Sequence, residues 1–214
     1  MKLYTYFRSS AAYRVRIALN LKGLPYEAVP VHLVKHGGEH LQDDYRAMNP
    51  SALVPTFDDD GATLTQSMAI LEYLEETHPA LPLLPAAPRE RARVRALAQI
   101  VACDIHPVNN LRVLRYLVRT LGISDDAKNE WYRHWIGEGF AALEAHLAAD
   151  PAPGRFCHGD TPTFADCFLV PQVYNAQRFN IDLAPYPNIA RINDACAELP
   201  AFIAAHPAQQ SDAE

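Results

Sequence analysis

The sequence predicts an α/β unit followed by an all-α domain. Three observations carry that prediction. Over the first 78 residues, short apolar strand-like runs alternate with helical patterns in the order β-α-β-α-β-β-α. Four prolines then follow in quick succession, Pro79, Pro82, Pro85 and Pro88, and prolines at that density make a stiff, extended connector. Beyond them the strand signal largely disappears and long helical patterns take over. The chain therefore reads as an α/β domain over 1–79, a Pro-rich linker over 80–88 and an all-helical domain over 89–214.

Each element has a local reason. Leu3-Tyr4-Thr5-Tyr6 suits a strand over 2–6. A helix over 10–22 places Ala11, Val15, Ala18 and Leu19 on one face, and Gly23 stops it. Residues 26–33 are β-like, with Pro30 marking an edge strand. A polar loop from Lys35 to His40 contains Gly37-Gly38, and a weak helix is expected over 41–48. Strands over 54–57 and 62–65 flank the turn Asp58-Asp-Asp-Gly61, and a helix follows over 66–77. The second part predicts helices over 89–120, 125–148, 163–178 and 187–206, the last broken near Pro200. Pro107 lies inside the first of these, where proline costs about 3 kcal/mol and is expected to kink it. The tail, 209–214, reads as frayed.

Composition narrows the function classes. The 214 residues suffice for one large or two small domains with a substantial core. Net charge is −6 with dispersed Lys and Arg, which argues against a nucleic-acid surface. No apolar run approaches the roughly 20 residues of a membrane helix, and Met1-Lys2-Leu3-Tyr4 lacks an apolar signal core. Cys103, Cys157, Cys167 and Cys196 form no Cys-x-x-Cys pair, so reduced thiols are expected. The histidines show no metal-site spacing. These readings predict a cytoplasmic protein without structural metal, membrane contact or nucleic-acid partner.

Three places carry chemistry. Arg8-Ser9-Ser10 sits where strand gives way to helix. A serine there caps the helix, or points its hydroxyl at an anion drawn by the helix dipole and bare N–H groups. Val54-Pro55 heads a strand, either as a trans proline at an edge or as a cis bond that turns the Val54 backbone toward a ligand. Gln66-Ser67 opens a helix straight after a strand, again a cap or a carboxylate site.

Taken with the Asn49-Pro50…Val54-Pro55 stretch and the helical second part, these motifs resemble the cytosolic glutathione transferases, with a thioredoxin-like N-terminal domain. Gly159-Asp-Thr-Pro-Thr-Phe-Ala-Asp166 adds to the resemblance: Thr163 and Asp166 form a capping box at a helix start, a folding feature. Arg8-Ser9-Ser10, Arg14-Val-Arg-Ile-Ala-Leu19, Leu21-Lys-Gly23, Val170-Pro-Gln-Val173, Asn175-Ala-Gln-Arg-Phe179 and Asp182-Leu-Ala-Pro-Tyr-Pro187 resemble the zeta class. That class contains maleylacetoacetate isomerases, with bacterial maleylpyruvate isomerases as close relatives. The resemblance spans essentially the whole chain. It departs at one point: where the zeta pattern reads Ser-Ser-Cys-x-Trp, this chain has Ser9-Ser10-Ala11-Ala12-Tyr13. The missing cysteine leaves glutathione's thiol as the only nucleophile and argues against glutaredoxin-like activity.

The resemblance implies glutathione as cofactor, a small dicarboxylate as substrate and a homodimer. It implies cis–trans isomerisation: thiolate adds to the double bond, the bond rotates, and elimination restores the alkene. A thiol near pKa 8.5 is only about 3% ionised at pH 7. Lowering it by two units takes about 2.7 kcal/mol, within reach of a Ser9 or Ser10 hydroxyl plus the helix N-terminus. Arg8 joins them as a catalytic and substrate-binding residue, and Arg112 and Arg178 as further carboxylate partners, since guanidinium binds carboxylate in bidentate fashion. The resemblance also assigns His40 to the glycyl end of glutathione, and Val54, Gln66 and Ser67 to its backbone and carboxylate. It places His106, Asn110 and Arg112 at the cofactor and substrate site. Asp104 is assigned to the γ-glutamyl ammonium across a dimer interface. His106 and Asn110, four apart, would share one helix face. Two other readings compete. A general conjugating transferase needs an apolar second pocket, which the arginines disfavour. A non-enzymatic scaffold would have no use for Ser9, Val54-Pro55 and Gln66-Ser67.

Overall fold

The computed structural model describes residues 1–149 and 154–214. They form two compact units: Met1–Leu83 together with Ala197–Glu214, and Leu84–Cys196.

The first unit is a four-stranded sheet with helices. Strands β1 (Lys2–Thr5), β2 (Glu27–Pro30), β3 (Thr56–Asp59) and β4 (Ala62–Thr65) lie in the order β2-β1-β3-β4. β1 runs parallel to β2 and antiparallel to β3, and β3 antiparallel to β4. This is the expected thioredoxin-like arrangement, with Pro30 on an edge strand, where its missing N–H breaks no central ladder. Leu3 faces Phe57 across the sheet, and both are fully buried. The β3–β4 turn is the pair Asp60-Gly61, both at positive φ (52° and 87°), as a two-residue hairpin turn of type I′ requires.

Helix α1 (Ser10–Leu21) is buried on nearly every side, because it packs against α3 (Ser67–Thr77) and α9 (Pro200–Ala205). Two of its buried residues are arginines. Arg16, fully buried, donates to the Ala205, Tyr6 and Phe7 carbonyls and to Thr5 Oγ1. At the far end of α1, Lys22 pairs with Glu75 of α3 at 2.7 Å, with both side chains almost wholly buried. A short helix, α2 (Asp43–Met48), precedes β3.

The tail differs from expectation. Residues 197–214 pack with the first unit, and the tail over 209–214 is tied down instead of frayed. Asp212 accepts from the Phe7 N–H at 3.0 Å, and Glu214 pairs with Lys35 and His32. A terminal position predicts fraying; here the polar groups of the tail supply the contacts that hold it.

The second unit is helical: α4 (Pro88–Gln99), α5 (Leu111–Arg119), α6 (Asp125–Ala149), α7 (Phe164–Arg178) and α8 (Pro187–Ala197). α7 is its centre, buried from Phe164 through Val173. α6 buries Tyr132, Ile136, Phe140, Leu143 and Leu147, one stripe at helical spacing. Glu144 of α6 accepts from the Asn188 and Ile189 N–H groups, so it caps α8 from a neighbouring helix. The predicted box is present at α7: the Asp166 carboxylate accepts from the Thr163 N–H and hydroxyl and from the Cys157 N–H.

The expected single helix over 89–120 is two helices. α4 passes into a π-helical turn, Ile100–Ile105, and the chain leaves helical geometry before α5 begins at Leu111. Pro107, which cannot donate, falls in this break. No helix among the described residues is long and apolar enough to cross a membrane.

Candidate active site

The β1–α1 corner follows from its sequence. β1 ends at Thr5, the Ser9 N–H bonds back to the Tyr6 carbonyl at 2.9 Å, and Ser9 becomes the N-cap of α1 with its Oγ accepting from the Ala12 N–H at 3.2 Å. Capping uses only a lone pair. A hydroxyl keeps its proton for donation while it caps, so the cap and the anion-facing donor are compatible roles for Ser9. Ser9 is half-buried, whereas Ser10, in the first turn, is buried. No acidic residue occupies the first turn of α1, so no carboxylate there offsets its dipole.

Arg8 is half-buried. Its Nη2 donates to the Tyr6 hydroxyl at 3.0 Å and its guanidinium lies 4.8 Å over the Phe7 ring. These contacts aim the guanidinium without neutralising it. No carboxylate pairs with Arg8 among the described residues.

Helix α3 has no side-chain cap at its N-terminus. Its N-cap Gln66 has φ 69° and ψ 115° and is followed by no acid in the first turn. A non-glycine residue held at positive φ is strained, and such strain persists where the surroundings impose it. Arg14 of α1 donates to Ser67 Oγ at 3.2 Å in a buried contact. Thus one arginine ties the two N-termini together. Sequence reasoning quoted Arg14 within a motif but gave it no role. Its signal was a charge pair, Arg14 and Arg16, inside an otherwise apolar helix.

Val54-Pro55 is cis. Val54 lies just outside the sheet ladder, whose β1–β3 pairing starts at Thr56. The approach to it is held by two residues that sequence reasoning left without a role. Asn49 Nδ2 donates to the Leu53 carbonyl and Thr56 Oγ1, and the Tyr45 hydroxyl bonds the same two groups. His40 sits buried in the second of two tight turns, Glu39–Leu41. Gly38 is required there: at φ 108°, a Cβ on it would stand 2.6 Å from the His40 ring. The rings of Tyr6 and His32 meet at 4.9 Å, joining the corner to the loop that leads to His40.

In the helical unit, Asp104 is exposed in the π turn, a feature that recurs at functional sites. Gly139 of α6 approaches this turn so closely that a Cβ would stand 2.2 Å from Ile105. His106 and Asn110 do not share a helix face, because 106–110 is not helix. Asn110 is instead the N-cap of α5, accepting from the Arg112 N–H at 3.1 Å. Arg112 is exposed. Arg178 ends α7, exposed, 6.0 Å from the Tyr174 ring. Tyr132 links these parts of the unit: its carbonyl accepts from Asn109 and its ring stacks on Phe179 at 3.7 Å. Burial pushes the Tyr132 phenol up to about 12, against the opposing pull of Arg178, so it stays protonated.

Three of the four cysteines are closed off from chemistry. Cys157, Cys167 and Cys196 are buried, and burial, with Asp166 nearby, raises Cys157 and Cys196 far above the ordinary thiol value. Among the described residues no group of His, Cys, Asp and Glu could hold a metal ion.

Residues 3–83 match the family of glutathione S-transferase N-terminal domains and residues 128–195 that of the C-terminal domains. Maleylpyruvate isomerase of a Ralstonia species is 56% identical over 212 residues, 99% of each chain. Maleylacetoacetate isomerase of Pseudomonas aeruginosa is 50% identical over 213 residues, 99% of this chain and 98% of that one. Among solved structures, the holo form of a maleylpyruvate isomerase, a bacterial zeta-class glutathione S-transferase, superposes with a TM-score of 0.97 at 55% identity over all of both chains. A maleylacetoacetate isomerase from Methylobacterium extorquens with bound malonate and glutathione gives 0.95 at 45% identity, again over all of both chains.

Proposed function

Because this chain belongs to the zeta-class glutathione S-transferases, we propose that it is a maleylacetoacetate isomerase, converting the cis substrate to fumarylacetoacetate with glutathione regenerated at each turnover. The observation that carries this reading is Arg8, aimed by Tyr6 and Phe7, without a carboxylate partner among the described residues, next to the Ser9 hydroxyl. A cation beside the thiol-activating group suits a dicarboxylate better than an apolar electrophile.

The residues fit glutathione. The N-terminus of α3, with Gln66 and Ser67, suits the γ-glutamyl carboxylate. The Val54 backbone, outside the ladder, suits a strand-like pairing with the peptide, and His40 suits the glycyl carboxylate. When bound, glutathione supplies the thiolate that makes the substrate's double bond temporarily single. Ser9 donates its hydroxyl proton toward the sulfur, and the α1 N-terminus adds its dipole, so the ionised thiol is favoured. Ser10, buried in the first turn, supports the same end of the helix. Arg8 holds a substrate carboxylate. In the helical unit, Arg112 and Arg178 are candidate carboxylate partners, and His106 and Asn110 shortly precede Arg112 in the chain. The protein acts in the cytoplasm as a homodimer, with Asp104 reaching the γ-glutamyl ammonium of a partner subunit's glutathione.

A second reading is favoured by a specific observation. The maleylpyruvate isomerase relatives reach 56% identity and a TM-score of 0.97. The experiment supplies each keto acid separately with glutathione at a small fraction of substrate and follows product identity. Many turnovers per glutathione, giving the trans isomer from maleylacetoacetate, support the proposal. Turnover of maleylpyruvate alone moves the assignment to the second reading, and stoichiometric adducts sink both.

A further inference from the structure

We propose that Asp212 and Glu214 are positioning residues of the site: Asp212 fixes the corner that presents Arg8 and Ser9, and Glu214 fixes the loop that carries His40. The inference rests on the assignment of Arg8, Ser9 and His40 to the glutathione and substrate site.

The sheet ladder ends at Thr5, so the Phe7 N–H has no strand to bond. A backbone donor in a buried corner needs a partner. Phe7 is 5% exposed, and its partner is Asp212 Oδ2 at 3.0 Å, 205 residues further along the chain. The carbonyls of the same corner are held from the other side. Arg16 donates to Phe7 at 3.0 Å and to Tyr6 at 3.4 Å, and its Nε donates to the Ala205 carbonyl at 3.0 Å. Phe7 is therefore gripped at both its N–H and its C=O, and Tyr6 at its C=O, by contacts that involve the segment Ala197–Glu214. Arg8 and Ser9 follow directly.

Glu214 acts on the neighbouring loop. It pairs with Lys35 and stands 3.4 Å from His32 Nε2. His32 Nδ1 accepts from the Val34 and Lys35 N–H groups, at 3.1 and 2.8 Å, which leaves the ring proton on Nε2, facing Glu214. The His32 N–H in turn bonds Glu39, the residue before His40, at 2.6 Å. The Tyr6–His32 ring contact joins the two anchored loops into one assembly.

The test compares Asp212→Ala, Asp212→Asn and Glu214→Ala in the full chain. Glutathione affinity is read by calorimetry, and turnover kinetics and far-UV circular dichroism are recorded alongside. Asp212→Ala is expected to weaken glutathione binding about 5- to 10-fold and to raise KM for the keto acid, with native dichroism. Asp212→Asn keeps an acceptor oxygen for Phe7 and should stay within about twofold of wild type. Glu214→Ala should weaken glutathione about twofold and leave kcat unchanged. Wild-type affinity in Asp212→Ala, or an equal loss in Asp212→Asn, overturns the proposal for Asp212. Unchanged affinity in Glu214→Ala overturns it for Glu214; if Asp212→Ala does not fold, Asp212→Asn decides for Asp212, affinity within about twofold of wild type supporting the proposal and a larger loss overturning it. Failure of the wild type to isomerise either keto acid would sink the functional reading alone, because the affinity comparison needs no turnover.

Discussion

Removing one partner of the Lys22–Glu75 pair should be the most damaging single change in the first unit. The ammonium and carboxylate stand 2.7 Å apart with side-chain exposures of 1% and 6%, so neither charge has water to fall back on. Lys22 also donates to the His78 and Leu81 carbonyls, and the Glu75 oxygens accept from the Leu83 N–H. Glu75→Leu strands a buried ammonium and orphans the Leu83 donor, a loss of about 3–5 kcal/mol. Lys22→Met strands the carboxylate and should cost about as much. The double variant buries no lone charge and pays only for the orphaned backbone groups, about 1–3 kcal/mol each where water cannot reach. Its loss should therefore fall short of the summed single losses by at least about 2 kcal/mol. Urea unfolding followed by far-UV dichroism measures all four proteins. Glu75→Leu should also lower Tm by about 6–20 °C, at about 2–4 °C per kcal/mol for a chain of this size. A Glu75→Leu loss below about 1 kcal/mol, as for a surface pair, or additivity within about 0.5 kcal/mol, would refute the reasoning.

Ser9→Ala should lower turnover about a hundredfold by removing a donor to the sulfur and raise the pKa of bound glutathione, read by thiolate absorbance; an unchanged pKa removes Ser9 from that role. Arg8→Ala should raise KM for the dicarboxylate far more than the dissociation constant for glutathione, and equal effects on both would assign Arg8 to the cofactor instead. His206 contributes one part of the pH dependence: burial, then Arg16, holds its imidazole below the ordinary value. The unfolded chain thus binds the proton first, so this contribution is whole above about pH 6.5 and is lost as pH falls through the depressed folded value. Thermal melts between neutral and mildly acidic pH should show that slope, and His206→Gln should flatten it.

The α1 corner was legible because sequence punctuates it: apolar strand, polar Arg8-Ser9-Ser10, then helical period. The cap at Ser9 and the box at Asp166 were legible for the same reason, since capping is local chemistry. The break between α4 and α5 was obscured, because apolar periodicity continues across 100–106 and does not register the extra residue of a π turn. Arg14 and Arg16 were obscure for the opposite reason. Charge predicts solvent, and partners on other elements, Ser67 for Arg14 and Ala205 and the 5–7 corner for Arg16, accommodate these buried guanidiniums. The tail was obscure for a similar reason: terminal residues fray by default, and only the placement of Phe7 and Lys35 against Asp212 and Glu214 ties it down.

The sheet order has a further consequence, for how the protein stays dispersed. A four-stranded open sheet has two rims that another chain could extend. The β2 rim is four residues long and ends in Pro30, which offers no donor. The β4 rim, Ala62–Thr65, has no proline, but it follows Asp58-Asp-Asp, an acidic run of the gatekeeping kind that flanks aggregation-prone strands. Strand-to-strand aggregation on heating should therefore begin at β4, and neutralising Asp58 and Asp60 should hasten it.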